Sequence, residues 1–349
     1  MEQYTLKDIS AATGYSLPTV SRVLSGSNYP VREEVRKAIE DYAREVGYVP
    51  NLLARGLKTR FFPEIAVVIP SFNNPFYTSV LAGIDEKLKG TGFSMVVYLF
   101  GHNGKTANNL LKILCSKKLA GVIIAADILA TDEGRDLANL LNKDFRDEEM
   151  PVVVFDEVPQ STSNFRGIYF DYYKGGWMAA EHLYDMGHRK VAFISRILNR
   201  PTRCELAEGV KAFFESKGIS LDVYERDEAE SFAAGLMLAS DVLASSVPYT
   251  AIIANSDAVA TGAMSALMQH NVKIPDQMSI VGVDDSIYSR ITTPLLTTVQ
   301  VPSQSMGEHA AKIILGLVKA DGEVDDVYLQ PALVSRSTVR RITSTDLDT

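Results

Sequence analysis

Cysteine is scarce: Cys115 and Cys204 are the two in 349 residues. They lie far apart and make neither a CxxC pair nor a bridge framework, which suits a reducing, cytoplasmic setting. Long apolar runs are missing too. Nothing approaches the roughly 18–20 uninterrupted apolar residues of a membrane-spanning helix, so no membrane partner is expected. The start Met1-Glu2-Gln3-Tyr4-Thr5-Leu6-Lys7-Asp8 lacks a basic stretch followed by an apolar one, and no secretory signal is expected. Catalytic signatures are equally thin. There is no GxSxG elbow, no GxGxxG after the first strand-like run and no GxxxxGK-S/T loop. His102, His182, His188, His270 and His309 show no metal-ligand spacing. An enzyme, a cofactor and a metal are therefore not expected.

What is present is ordinary globular composition, 46% apolar and 22% charged, with 23 Gly and 14 Pro. At roughly 100–200 residues per domain, the length suits two or three compact units. The net charge of −8 is unevenly spread. In the first sixty residues the cations Lys7, Arg22, Arg32, Arg36, Lys37, Arg44, Arg55, Lys58 and Arg60 outnumber the acids Glu2, Asp8, Glu33, Glu34, Glu40, Asp41 and Glu45. Between Val46 and Pro63 there are cations and no acid. An acidic body with a basic head suggests a nucleic-acid-facing N-terminus, and a solvated helix face with a few more Arg than Glu would give a similar pattern.

Local signals there are helical. Thr5 is an N-cap with Asp8 in the first turn, Leu6, Ile9 and Ala12/Thr13 share one face, and Gly14 supplies a left-handed stop. Ser16 caps a second helix, Leu17 to Leu24, with Pro18 in its first turn where no intrahelical N–H bond is lost. The pattern predicts Val20 and Leu24 buried, with Leu17, Pro18, Ser21 and Arg22 outward. A third helix, Arg32 to Val46, carries the stripe Val35, Ile39, Tyr42/Ala43 and Val46 and ends at Gly47. Two short helices joined by a tight turn form a helix-turn-helix, whose second helix fits the DNA major groove.

Three linked segments, Leu6-Lys7-Asp8-Ile9, Thr19-Val20-Ser21-Arg22-Val23-Leu24 and Gly47-Tyr48-Val49-Pro50-Asn51-Leu52-Leu53-Ala54-Arg55-Gly56-Leu57, closely resemble the headpiece of the LacI/GalR family of bacterial transcription regulators. The resemblance implies a hinge helix over residues 50–61 that folds only on DNA. Its roughly eight helical residues, with Gly56 among them, are too few for stability alone. Leu57 matches the apolar wedge that unstacks a minor-groove base step, Ala54 the small residue that lets two hinge helices pack, and Asn51 the cap. The base-reading positions fall on Leu17, Pro18 and Arg22, and the DNA-facing set also takes in Thr5, Ser16, Thr19 and Ser21. Arg22 is a standard partner for guanine. Leu17 and Pro18 offer only apolar contact.

From about residue 62 strands and helices alternate. Apolar runs at Ile65–Pro70, Phe93–Leu99, Gly121–Ala125, Pro151–Phe155, Gly167–Phe170, Lys190–Ile194, Thr250–Ala254 and Met278–Val283, separated by amphipathic segments, imply βαβ units and parallel sheets. The expected fold is thus an N-terminal all-α helix-turn-helix headpiece (1–49) with a hinge helix (50–61). An α/β body follows (62–349), built of two doubly wound parallel-sheet lobes resembling periplasmic sugar-binding proteins. The series begins afresh near Asn164, so lobe one is placed at about 62–163 and 294–329 and lobe two at about 164–293 and 330–342. Ligands in such sheets bind beyond the carboxyl ends of the strands. There the resemblance places effector contacts on Asn74, Phe76 and Tyr77 of the loop Asn74-Pro75-Phe76-Tyr77, on Arg203, on Asp257 and on Asp284. Phe76 and Tyr77 also read as core aromatics of the following helix. Three positions depart from the family pattern. Ser256 stands where Asn is usual, Val301 where Gln is frequent, and Arg203 lies one residue farther from Gly209.

The function implied is a DNA-binding regulator, a repressor, that reads a pseudo-palindromic operator in double-stranded DNA as a homodimer. Its affinity would be set by a small-molecule effector, a sugar or sugar derivative, in the inter-lobe cleft. The departures leave open a non-sugar effector or a protein co-regulator. Residues 334–349 carry no leucine heptads for a larger coiled-coil assembly.

Overall fold

The computed structural model describes residues 4–24, 30–48, 62–100, 106–117, 119–125, 128, 150–156, 165–196, 200–227, 231–319 and 324–342. The chain divides into two compact units, Met1–Pro63 and Glu64–Thr349.

The first unit holds α1 (Leu6–Thr13), α2 (Leu17–Leu24) and α3 (Glu33–Glu45). Thr5 and Asp8 form a reciprocal capping box at the start of α1. The Thr5 N–H donates to Asp8 Oδ2 at 2.7 Å, and the Asp8 N–H donates to Thr5 Oγ1 at 3.4 Å. Gly14 ends the helix at φ 74°, in the left-handed region glycine tolerates. Ile9, Val20, Val23, Ile39 and Ala43 make a small core, with Leu6, Leu24, Tyr42 and Tyr48 packed around it. Val23 takes the buried place expected of Leu24, which is half-buried. Val23 lies three residues from Val20, on the same face of the helix.

The second unit contains two six-stranded sheets. Its elements run β1 (Phe62–Ile69), α4 (Pro75–Leu88), β2 (Ser94–Leu99), α5 (Thr106–Ser116), β3 (Leu119–Ile124), β4 (Val152–Phe155), β5 (Phe165–Phe170) and α6 (Tyr172–Asp185). They continue as β6 (Val191–Arg196), α7 (Pro201–Ser216), β7 (Asp222–Arg226), α8 (Ser231–Ala244), β8 (Ala251–Ala254), α9 (Asp257–Gln269) and β9 (Ser279–Asp284). The last are α10 (Ile287–Ile291), β10 (Thr297–Gln300), α11 (Ser303–Lys319), β11 (Val327–Leu329) and β12 (Ala332–Val334). The strand orders are β11-β5-β4-β3-β1-β2 and β12-β10-β9-β8-β6-β7. Of the pairings described, β12 on β10 is antiparallel and the rest are parallel.

The expected lobe limits need correction at both crossings. β5 pairs with β4 in the first sheet instead of opening the second lobe. β10 pairs with β9 in the second sheet instead of returning to the first. Thr297, Thr298 and Val299 of β10 are fully buried, as a strand with neighbours on both edges requires. The segment that returns to the first lobe is therefore α11 with β11, after which β12 goes back. Strand periodicity is the same in both sheets and carries no information about which one a strand joins.

Glycines let helices approach closely on both lobes. A Cβ on Gly83 of α4 would strike the Gln304 carbonyl of α11, and one on Gly209 of α7 would strike the Tyr173 carbonyl of α6. Among the described residues no helix is long and apolar enough to cross a membrane.

Candidate functional site

In the headpiece, Leu17, Pro18 and Arg22 are exposed on α2, while Thr19 and Ser21 are half-buried. Thr5 and Ser16 are exposed and engaged in capping: Ser16 Oγ accepts from the Thr19 N–H at 3.4 Å and lies 2.8 Å from Thr19 Oγ1. These caps satisfy orphan N–H groups at helix starts, and the apolar core of Ile9, Val20, Val23, Ile39 and Ala43 packs α2 against α1 and α3. Asn51, Ala54 and Leu57, and with them the whole expected hinge, lie outside the described residues.

In the body, a cavity of about 600 Å³ opens beyond the carboxyl ends of β9 and β10, against the first turns of α4 and α11. Phe76 and Asp284 both line it, together with Asp285, Ser286, Arg290, Gln300 and Val301. Of the six expected effector residues the structure therefore brings Phe76 and Asp284 to one cavity wall. The other four do not line it. Asn74 caps α4, its Oδ1 accepting from the Phe76 N–H at 3.0 Å. Tyr77 is buried in edge-to-face contact with Phe76, their ring centroids 5.2 Å apart, and so serves the core reading of that loop. Arg203, half-buried on α7, donates from Nη1 to the Arg196 carbonyl at 3.0 Å, and its positive charge acts on the Asp284 carboxyl.

Asp257 is corrected from an effector contact to a buried anchor. Its side chain is sealed from solvent and both oxygens are engaged. Oδ1 accepts from Thr298 Oγ1 at 2.6 Å, and Oδ2 accepts from the Ser286 N–H at 2.7 Å and Ser286 Oγ at 3.0 Å. The turn so held is conformationally costly: Asp284 has φ 124° and Asp285 φ 54°. Such conformations cost on the order of 1–3 kcal/mol each and persist where the surroundings over-determine them.

Asp285 supplies the second anchor, and sequence reasoning missed it. Its carboxylate accepts from Ser289 Oγ at 2.9 Å, Arg290 Nη2 at 3.1 Å, Gln300 Nε2 at 3.2 Å and Arg336 Nη2. Burial pushes this carboxyl up, but the donors, Arg336 foremost, hold it below the ordinary aspartate value. Asp284 and Asp257 go the other way. Burial raises both. The Asp257 charge raises Asp284 further and the Asp285 charge raises Asp257, while Arg203 and the Asp257 N–H pull Asp284 partly back. The available signal was the doublet Asp284-Asp285 directly after an apolar strand.

Ser256 and Val301, two of the departures from the family pattern, have local roles. Ser256 caps α9, its Oγ accepting from the Val259 N–H at 3.3 Å, and Val301 gives the cavity an apolar wall. Among the described residues no group of His, Cys, Asp or Glu is placed to hold a metal ion.

Comparisons with known proteins fit both units. Residues 5–51 match the model described as bacterial regulatory proteins, lacI family, and residues 180–339 match a periplasmic binding protein-like domain. The ribose operon repressor of Haemophilus influenzae is 28% identical over 337 residues, covering 96% of this chain and 98% of that one. The transcriptional repressor PurR of Actinobacillus pleuropneumoniae serotype 3 is 29% identical over 345 residues, covering 97% of this chain and 99% of its own. The Lac repressor dimer, solved bound to operator and the anti-inducer ONPF, shares the fold at TM-score 0.81 and 22% identity, covering 97% of this chain and 100% of that one. These relatives are transcriptional repressors.

Proposed function

The chain belongs to the LacI family of DNA-binding regulators, and from that premise we propose that it is a repressor whose grip on a pseudo-palindromic operator is set by a small molecule in the body's cleft. The observation that carries this reading is the exposed α2 face, with Leu17, Pro18 and Arg22 on a helix capped at Ser16. Arg22 would pair with guanine, worth about 1–3 kcal/mol of discrimination, while Leu17 and Pro18 make apolar contacts such as those with thymine methyls.

A homodimer presents two such heads, and a two-fold reader calls for a two-fold site. Exposed apolar side chains on both lobes, Phe72 and Leu99 on one and Ile291 on the other, are the kind of surface a second copy covers. In the cleft, Asp284 accepts from effector hydroxyls and Phe76 packs on an apolar ligand face, with Arg203 behind Asp284. Ligand closing the lobes would shift the dimer-facing surfaces and bias the hinge helix at 50–61 between folded and unfolded forms. The headpiece is assigned to 1–49 and the effector and dimerisation unit to 62–349, working in the cytoplasm.

Selection of random DNA duplexes on the full chain tests this directly. The expected product is a two-fold symmetric site whose guanine preference is lost in Arg22→Ala. Enrichment of no sequence, or of an asymmetric single half-site, would refute the dimeric operator reading.

A further inference from the structure

β6 and β8 are neighbours in the second sheet, with Ile194 opposite Ala254 and the Asn255 N–H donating to the Ile194 carbonyl at 3.0 Å. Ser195 and Asn255 are therefore the next pair along, side by side at the carboxyl ends of adjacent strands. Ile194 and Ala254 face the apolar core under α8 and α9, so alternation turns Ser195 and Asn255 to the opposite face of the sheet. Ser195 is 0% and Asn255 8% exposed, yet among the described residues Ser195 Oγ and Asn255 Oδ1 have no hydrogen-bond partner.

Buried polar atoms in folded proteins are almost always paired, and an orphan costs free energy that alanine or valine would not. Among the described residues, the comparable buried atoms on His182 and Thr292 stand singly, far apart in the chain. Here two fall together, where open α/β sheets take their ligands. The neighbours suit a ligand site. Arg203 bonds the carbonyl of Arg196, the residue after Ser195, and Asp284 ends β9, the next strand beyond β8.

We propose that Ser195 and Asn255 form one further contact for the effector, closing together on a single hydroxyl of a polyhydroxylated ligand; this rests on the effector-cleft reading above. A hydroxyl is the group that satisfies both at once. It accepts from the Ser195 O–H and donates to Asn255 Oδ1, and adjacent strands, about 4.8 Å apart, put both side chains within reach of one oxygen. A purely apolar or acceptor-only ligand would leave Asn255 Oδ1 unpaired.

Thermal unfolding of the full chain tests the pair, comparing wild type, Ser195→Ala and Asn255→Leu, each without ligand and with D-ribose. Without ligand, both variants are expected to melt at or above the wild-type temperature, by about 1–3 °C, because an unpaired buried atom has been removed. With D-ribose, each is expected to need roughly tenfold more sugar for the wild-type shift. A lowered ligand-free midpoint in Ser195→Ala, the milder change, would mean an internal water satisfies these atoms and would overturn the proposal. So would an undiminished D-ribose shift. Asp284→Asn separates the two levels: a D-ribose shift that survives it defeats the cleft reading, and one that survives Ser195→Ala defeats only the pair. If D-ribose shifts no form of the protein, ribose is excluded as the effector and the ligand-free midpoints decide the pair alone.

Discussion

In the headpiece, Leu17, Pro18 and Arg22 stand on the outer side of one eight-residue helix, held by five buried side chains drawn from three consecutive helices. In the body, Asp284 owes its position to Asp257, Ser286, Thr298 and, through Asp285, Gln300 and Arg336, partners spread over some eighty residues and several elements. One unit displays its chemistry on a locally determined surface; the other assembles it from strand ends that meet only after two sheets have formed. The consequence is a difference in fragility. A small core has few contacts to lose, whereas the cleft has redundant anchors.

The sharpest break in that comparison is Ile39→Ala. Ile39 is fully buried in the headpiece core, and truncation costs about 2–5 kcal/mol, a large part of what a unit this size holds. Operator binding is expected to be abolished at 37 °C while the main calorimetric transition, that of the body, stays in place. A shift of that transition would show that the two units are thermodynamically one.

Asp285→Ala tests the redundancy of the body. It leaves Arg336, itself largely buried, without its carboxylate, and removing one partner of a buried pair costs about 3–5 kcal/mol. Denaturant titration should show that loss with headpiece folding unaffected. The pH dependence has a definite sign. The folded pKa of Asp285 lies below its unfolded value, so its contribution is fully present above about pH 4 and is lost as pH falls through the folded pKa. The variant should lack that acid-side loss.

His188 sharpens the same point nearer to neutral pH. It is buried, with Nδ1 2.9 Å from Thr250 Oγ1 and Nε2 3.2 Å from the Arg340 carbonyl, tying the C-terminal segment to the second lobe. Burial pulls its pKa down to about 4 from 6.5. The unfolded chain binds the proton first, so stability is whole above pH 6.5 and declines toward pH 4, by up to about 3 kcal/mol. His188→Gln should flatten that slope. Asp257 and Asp284, raised by burial, act in the opposite sense as pH rises, and the variant isolates the histidine share.

The smallest expected effect is Arg22→Ala, about 1–3 kcal/mol in discrimination between guanine and other bases at one operator position. Its melting temperature should be unchanged, since Arg22 is exposed. A lowered melting temperature would mean that the α2 face carries structural load as well.

Legibility in the sequence followed the same divide. The caps at Thr5 and Ser16, the stop at Gly14 and the apolar stripe around Ile39 were readable because a helix spaces its contacts three or four residues apart. Eight strands of the body were readable as apolar runs and β10 was expected in the other lobe, but β7, β11 and β12 were not read. β7 is an edge strand with mostly exposed side chains, and the other two have three residues each. Asp284 was found from its place at a strand end. Its supports were not, because Asp257 to Ser286 and Asp285 to Arg336 are joined by no local pattern.

The sequence by itself determined the headpiece helices, most of the body's strands, the outward α2 face and the alternating α/β build, all properties of periods within a few residues. Only the tertiary structure decided that β5 belongs to the first sheet and β10 to the second, that Asp257 is sealed behind Asp284, and that Ser195 meets Asn255. Those outcomes depend on which strand edges pair and on what becomes buried between them, and pairing across a long separation leaves no signature in local periodicity.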